Sequence, residues 1–242
     1  MTAAVIVAAG RGTRMGPGMD KLFIEVLGRP VVAHAWARMD AAPDIDSVVL
    51  VVRAGMEAEF ERLASEHVRP SKPWRLAPGG AERQDSVWSG LAAVAPGAEW
   101  VAIHDGARPC THPQVVSDTL AAARATGAAV AACRVTDTIK ESDGAGFVAR
   151  HLDRSRLWAV QTPQCFRVEV FRRALAEVRR RGLSVTDDTA ACEVIGQAVA
   201  LVEDRWPNPK VTVPADVAFV ELMLGRMGAG TGAGRGSVGE RP

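Results

Sequence analysis

The chain has 242 residues, 48% of them hydrophobic and 24% charged, and a formal net charge of +1. That length suits one large domain with a sizeable core, and the near-zero charge excludes a whole-molecule field for nucleic acid or an anionic membrane. The four cysteines (Cys110, Cys133, Cys165, Cys192) stand far apart with no C-x-x-C pair, which argues against a disulfide framework or zinc site and fits a reducing compartment.

In chain order, Val5-Ile6-Val7 reads as a first buried strand. No basic n-region precedes it and no stretch is long enough to span a bilayer, so the cytoplasm is the expected location. The run Ala8-Ala9-Gly10-Arg11-Gly12-Thr13-Arg14-Met15-Gly16 follows, with Lys21 a few residues on. A glycine-rich loop after a first strand lets backbone N–H groups approach phosphate, and Arg11 and Arg14 add fixed positive charge. The spacing is close to a dinucleotide fingerprint, but Pro17-Gly18 follows where a helix should open, and no acidic residue ends a second strand. A nicotinamide dinucleotide is therefore disfavoured.

Val31 to Met39 reads as a helix, Ser47 to Val52 as a strand, and Glu82 to Val94 as a helix with Val87, Leu91 and Val94 on one face. Trp100 to Ile103 is a strand, Gln114 to Arg124 a helix, and Ala128 to Cys133 a strand. Continuous β-branched runs alternating with helices predict an α/β fold with a mostly parallel, doubly wound sheet. Ligands of such sheets sit beyond the C-terminal strand ends, where the glycine-rich loop, Gly79-Gly80 and Asp105 all fall. Val135 to Val160 breaks the alternation around the polar turn Ser142-Asp143-Gly144-Ala145-Gly146 and reads as a protruding β-arm. An arm too polar to fold alone predicts a homodimer; the plainer reading is a surface hairpin without a partner. Helices resume at Val168 to Arg179 and Asp187 to Ile195, followed by a strand at Val199 to Val202 and a helix at Ala215 to Leu224. The folded domain is expected over 1–227, and the Gly-rich tail 228–242 is expected to be disordered.

Each candidate residue has a plain alternative. Most lysines are solvated, but Lys21 ends the loop and Lys210 sits in the rigid turn Pro207-Asn208-Pro209-Lys210. Asp105 closes a buried strand, a frequent position for a Mg²⁺ ligand, and its alternative is a turn cap. Arg108, three residues on, suits a bidentate phosphate contact. His104 lacks a His/Cys cluster and reads as a packed, hydrogen-bonded residue. Thr186-Asp187-Asp188-Thr189 reads as a helix N-cap whose N-terminus also suits an anion. No Ser/His/Asp or Cys/His set is evident, so no covalent mechanism is indicated.

With these residues placed, the chain resembles the 2-C-methyl-D-erythritol 4-phosphate cytidylyltransferase family. The resemblance covers about residues 3–224 and rests on AAGRGTRM with Lys21, GGAERQDSV at 79–87, HDGARP at 104–109, TDTIK at 136–140, LDRSRLW at 152–158, TPQ at 162–164, TDD at 186–188 and PKVTVPAD at 209–216, in that order. It implies a Rossmann-like nucleotidyltransferase fold, transfer of cytidylyl from CTP, and Mg²⁺ as cofactor. It also implies Arg14, Lys21, Arg154 and Lys210 as catalytic residues, and Ala8, Ala9, Gly10, Gly12, Gly80 and Ser86 at the nucleotide. Asp105, Arg108, Thr138, Thr162 and Thr186 are implied at the polyol phosphate. The family places Thr138 and Arg154 on an arm that enters the neighbouring subunit's site.

Four residues depart from the family's usual pattern. Asp20 and Leu22 flank Lys21 where Pro and Gln are usual, Ala81 replaces an acidic residue, and Gly106 replaces a common Ala. Asp20 is expected to weaken the hold of Lys21 on phosphate, and Ala81 to cost a ribose or base contact. The competing readings are a ribitol 5-phosphate cytidylyltransferase, a sugar-nucleotide pyrophosphorylase and a non-catalytic nucleotide-binding protein.

Overall fold

The computed structural model describes residues 1–10, 12 and 20–230. The chain runs β1 (Thr2–Val7), β2 (Glu25–Val26), β3 (Arg29–Pro30), α1 (Val31–Ala41), β4 (Ser47–Val52), α2 (Glu57–Leu63) with a π-helical turn at Ala64–Val68, β5 (Trp74–Pro78), α3 (Arg83–Ala92), β6 (Trp100–Asp105), α4 (Pro113–Thr126) and β7 (Ala128–Arg134). It continues through β8 (Lys140–Ser142), β9 (Val148–His151), a 3₁₀ turn at Arg154–Arg156, β10 (Trp158–Arg167), α5 (Val168–Arg180), α6 (Asp188–Val194), β11 (Ala200–Glu203) and α7 (Ala215–Gly230).

Seven strands form one sheet in the order β11-β7-β10-β6-β1-β4-β5. All neighbours are parallel except β10, which runs antiparallel to both β6 and β7. Along β1 every residue but the last is buried. Its two-residue period sends Ala4 and Ile6 to one face with Trp36 and Met39 of α1, Phe60 of α2 and Leu120 of α4. Ala3 and Val5 face the other way, against Leu91 of α3 and Phe171 and Leu175 of α5. Helices thus cover both faces, the doubly wound arrangement expected from the unbroken apolar runs. A smaller cluster seats α7, through Val220, Met223 and Leu224, on Val26, Val31 and Val211.

Two strands depart from the sequence expectation. Trp74-Arg75-Leu76-Ala77-Pro78 has no β-branched residue, yet it forms the edge strand β5. Pro163 argues against a central strand, because proline cannot donate to the ladder. The structure accommodates it at an irregularity between Val160 and Gln164, where the β10–β7 register shifts. Trp158 to Val160, assigned to the arm from sequence, belong to β10 and pair with Arg134 to Ala132. The arm proper is the β8–β9 hairpin with its exposed turn. The helix α7 runs to Gly230, three residues into the expected tail. Residues 231–242 lie outside the described residues.

The helix α3 packs so closely on the sheet that a Cβ at Gly90 would stand 2.4 Å from Val5 Cγ1 and 2.7 Å from Val51 Cγ2. Alanine is the better helix former, but overpacking outweighs that gain here. Gly90→Ala is expected to destabilise the fold by about 2 kcal/mol. An unchanged melting temperature would show that α3 moves off the sheet at no cost.

Candidate active site

In the sheet order, β4 and β5 lie on one side of β1 and β6 on the other, so the direction of winding reverses between β1 and β6. A ligand crevice belongs beyond the C-terminal ends of the strands at that point. A cavity of about 800 Å³ lies there, lined by Val7 at the end of β1 and Ala9 after it, Arg53 after β4, Gly79 and Gly80 after β5, and Asp105 at the end of β6. Among the described residues, four basic side chains (Lys21, Arg53, Arg83, Lys210) face it against two acidic ones (Glu82, Asp105). A pocket of that size and sign suits a phosphorylated small molecule.

On the loop side, Ala9, Gly10, Lys21, Gly80 and Ser86 line the cavity. Ala8 is buried behind them, with its N–H donating to Val51 C=O at 2.8 Å. Gly12 has a φ of +63° and passes so close to Lys21 that a Cβ would meet Lys21 Cγ at 3.1 Å. Lys21 is itself buried and its Nζ donates to Val211 C=O at 3.1 Å. The Ser86 hydroxyl accepts the Gly80 N–H at 3.1 Å and donates to Glu82 C=O at 3.2 Å, so it shapes the Gly79-Gly80 turn from beneath. Arg11 and Arg14 lie outside the described residues.

On the other side stands Asp105, aligned with Val7 in the β1–β6 ladder. Its carboxylate meets Lys210 Nζ at 2.7 Å, Arg83 Nη2 at 3.5 Å and Arg108 Nε at 3.7 Å. Burial alone would raise its pKa, but Lys210, Arg83 and Arg108 outweigh burial and hold the carboxyl well below the usual carboxylate range. Arg83 also makes a two-pronged pair with Asp188, Nη1 to Oδ1 at 2.8 Å and Nη2 to Oδ2 at 2.7 Å. Burial works against the guanidinium charge, yet Asp188 and Asp105 prevail and stabilise it further. Arg108 is fixed by donation to Asn208 C=O at 2.6 Å. Asn208 is buried, donates to Thr162 C=O at 2.9 Å and accepts from Thr111 at 3.0 Å, and so braces the turn that carries Lys210. Arg53 and Arg83 were not singled out from sequence, and Asp188 and Asn208 entered only within the cap run 186–189 and the turn 207–210. Arg83 follows Gly-Gly at the start of a helix and Asp188 lies in the TDD motif, which are the signals that mark them.

His104 is fully buried beneath Asp105. Its Nε2 donates to Arg108 C=O at 3.1 Å, leaving Nδ1 to accept from the Thr162 hydroxyl at 3.0 Å. That hydroxyl in turn accepts the Asp105 N–H at 3.1 Å. Thr162 therefore fixes Asp105 rather than lining the cavity, and His104 is a hydrogen-bonded core residue, as its sequence setting suggests. Burial pushes the imidazole from 6.5 down to about 4. Between those values the unfolded chain holds a proton that the folded chain does not, so stability falls as pH drops through this window. His104 is expected to make the fold about 2 kcal/mol less stable at pH 5 than at pH 8. His104→Asn, though less stable at neutral pH, should show a flatter decline in melting temperature from pH 7 to 4; parallel profiles would refute this.

The remaining expected residues do not line this cavity. Thr138 is exposed at the base of the arm, Arg154 is exposed with its guanidinium donating to Thr136 C=O at 2.6 Å, and Thr186 is exposed before α6. Asp187 caps α6 by accepting the Ala190 N–H at 3.0 Å. Nor do the side chains present suit a metal ligated by Asp105. A Mg²⁺ ligand must offer the cation a carboxylate oxygen, whereas the Asp105 carboxylate is already held by three cationic side chains that would repel it. Among the described residues no group of three or more His, Cys, Asp or Glu could hold a metal ion, and no helix is long and apolar enough to cross a membrane.

The family described as 2-C-methyl-D-erythritol 4-phosphate cytidylyltransferase matches the chain over residues 2–226. Relatives bearing that name include a Pelotomaculum thermopropionicum protein, 41% identical with 92% of this chain and 93% of that one covered. A Geobacillus thermodenitrificans protein is 42% identical, with 91% and 96% covered. Among solved structures, a 4-diphosphocytidyl-2C-methyl-D-erythritol synthase from Anaerococcus prevotii superposes with a TM-score of 0.83 at 28% identity, covering 93% of this chain and 96% of that one. The Thermus thermophilus 2-C-methyl-D-erythritol 4-phosphate cytidylyltransferase gives 0.72 at 32% identity, covering 92% and 98%. With a family model matched over residues 2–226 and relatives 41–42% identical over more than nine-tenths of its length, the chain belongs to the 2-C-methyl-D-erythritol 4-phosphate cytidylyltransferase family.

Proposed function

We propose that the chain joins CTP to 2-C-methyl-D-erythritol 4-phosphate, giving 4-diphosphocytidyl-2-C-methyl-D-erythritol and pyrophosphate in non-mevalonate isoprenoid biosynthesis. The observation that carries this reading, beside family membership, is the cavity at the switch point with its four basic side chains. An oxygen of the substrate phosphate attacks the α-phosphorus of CTP. A P–O bond forms there, the bond to the β-phosphate breaks, and its electron pair leaves with pyrophosphate. A phosphate monoester has its second pKa near 6, so the nucleophile is already largely anionic at pH 7 and needs no general base. The work left to the protein is orientation and charge stabilisation.

In this reading Arg14 and Lys21 stabilise charge on the CTP phosphates, and Lys210, oriented by Asp105, holds the incoming phosphate with Arg108. Gly10, Gly12, Gly80 and the backbone around Ser86 receive the nucleotide. Mg²⁺, when bound with the triphosphate, would supply charge neutralisation there; among the described residues no group of three or more His, Cys, Asp or Glu would hold it as a resident ion. The hairpin leaves Phe147 73% and Val148 65% exposed, and Thr138 and Arg154 stand off their own cavity. Both features support a homodimer in which the arm brings those two residues to the partner's site. A cytoplasmic location accords with free, well-separated cysteines.

The test is pyrophosphate release with CTP and Mg²⁺, comparing 2-C-methyl-D-erythritol 4-phosphate with ribitol 5-phosphate. Release with the first alone is the expected result. Release with ribitol 5-phosphate alone overturns the substrate assignment, and release with neither overturns the enzymatic reading in favour of nucleotide binding without turnover.

A further inference from the structure

We infer that Arg53 is a positioning residue for the nucleotide side of the cavity: its guanidinium clasps Gly10 and Asp20, on either side of the glycine-rich loop, and thereby sets Lys21. Arg53 leaves the end of β4, the strand beside β1. Its Nη1 donates to Gly10 C=O at 3.2 Å, and its Nη2 pairs with the Asp20 carboxylate. The other Asp20 oxygen accepts the Leu22 N–H at 3.1 Å, and Asp20 C=O accepts the Phe23 N–H at 3.0 Å. The carboxylate held by Arg53 therefore also fixes the turn in which Lys21 stands. From that turn Lys21 passes Gly12 and reaches Val211 C=O at 3.1 Å.

The pair is partly sheltered, with side-chain exposures of 25% for Arg53 and 22% for Asp20, so it is neither a solvated surface contact nor a deeply buried one. A guanidinium presents its donors to a carbonyl and a carboxylate in a rigid planar fork, whereas a lysine ammonium is a compact charge on a flexible stem. The clasp also answers the charge problem that Asp20 poses. An unpaired carboxylate next to Lys21 competes with phosphate for it, and Arg53 takes up that charge. Asp20 and Arg53 act as one unit, and the departure at position 20 is compensated within this chain.

The inference rests on the nucleotidyl-transfer reading for its kinetic consequence, but its geometric part is tested separately. The full chain is compared with Arg53→Ala, Arg53→Lys, Asp20→Ala and the double variant Asp20→Ala/Arg53→Ala. In the ligand-free protein, Arg53→Ala should speed amide exchange at residues 8–12 and 20–24 and leave it unchanged in α5. In turnover it should raise KM for CTP about tenfold, with KM for the polyol phosphate and the melting temperature little changed. Arg53→Lys should lie between it and the wild type. The double variant should recover toward Asp20→Ala, because the uncompensated carboxylate is gone. Unchanged exchange overturns the clasp. Faster exchange with an unchanged KM for CTP overturns its positioning role, and a double variant in which the losses of Asp20→Ala and Arg53→Ala simply add places Arg53 on the nucleotide independently of Asp20. A wild type that exchanges as expected but turns over no CTP sinks the functional reading and leaves the clasp standing.

Discussion

Lys21→Ala is expected to lower kcat about a hundredfold, or ~3 kcal/mol of barrier, with a smaller effect on either KM. The chemistry needs no proton taken from the nucleophile, so the barrier depends on how well negative charge is met as it shifts toward pyrophosphate. In the proposed mechanism the protein meets that charge with groups already in place. Lys21 is buried to 9% exposure, its stem lies against Gly12, and its ammonium is oriented by Val211 C=O at 3.1 Å. A cation fixed in a pocket shielded from water acts more strongly than one in solvent and requires little reorganisation during reaction. Loss of the ammonium also deprives Val211 C=O of a donor, at a cost of about 1 kcal/mol. Melting temperature measured beside steady-state kinetics separates the two effects. A variant of near-normal kcat would remove Lys21 from the transition state.

The sheet and the site were legible from sequence to different depths. The central parallel strands were plain because TAAVIV and SVVLVV are apolar on both faces, as burial beneath helices on two sides demands. The strand β10 was hidden because Pro163 and two glutamines interrupt it, and only its neighbours reveal that the gap in hydrogen bonding falls at an irregularity. Asp105, Lys210 and Lys21 were legible because each ends a strand, a rigid turn or a glycine-rich loop. The residues that hold them were not. Arg53 pairs with a residue 33 positions away and Arg83 with one 105 positions away, and no local pattern records such partners. Asp20 shows the same limit: its neighbour in sequence, Lys21, was visible, and its partner in space, Arg53, was not. His104 was read correctly because an isolated imidazole without companion ligands is most simply a core residue, and here both ring nitrogens have protein partners.

Asp188→Ala is expected to destabilise the fold by about 3–4 kcal/mol, the largest loss from any single truncation considered. Asp188 is 2% exposed and receives both prongs of Arg83 at 2.7–2.8 Å. The pair joins the first residue of α3 to the first residue of α6, and so ties the cavity wall to the helix layer behind it. An arginine at a helix N-terminus is opposed by the helix dipole, while an aspartate there is favoured. The net stability of the pair over an apolar substitute is therefore modest, but removing one partner leaves the other desolvated and unmatched. After truncation, the nearest remaining carboxylate to Arg83 is Asp105, now 3.5 Å away. Moving onto it, Arg83 would draw Asp105 away from Lys210 and disturb the ammonium proposed to receive the incoming phosphate. Asp188→Ala should thus lower the denaturation midpoint and also raise KM for the polyol phosphate. Asp188→Asn, which keeps the shape and one acceptor, should do both to a lesser degree. Denaturant unfolding with steady-state kinetics on the two variants checks the argument. A stable Asp188→Ala protein with an unaltered KM would mean that Arg83 finds solvent easily and that Asp105 is held by Lys210 and Arg108 alone.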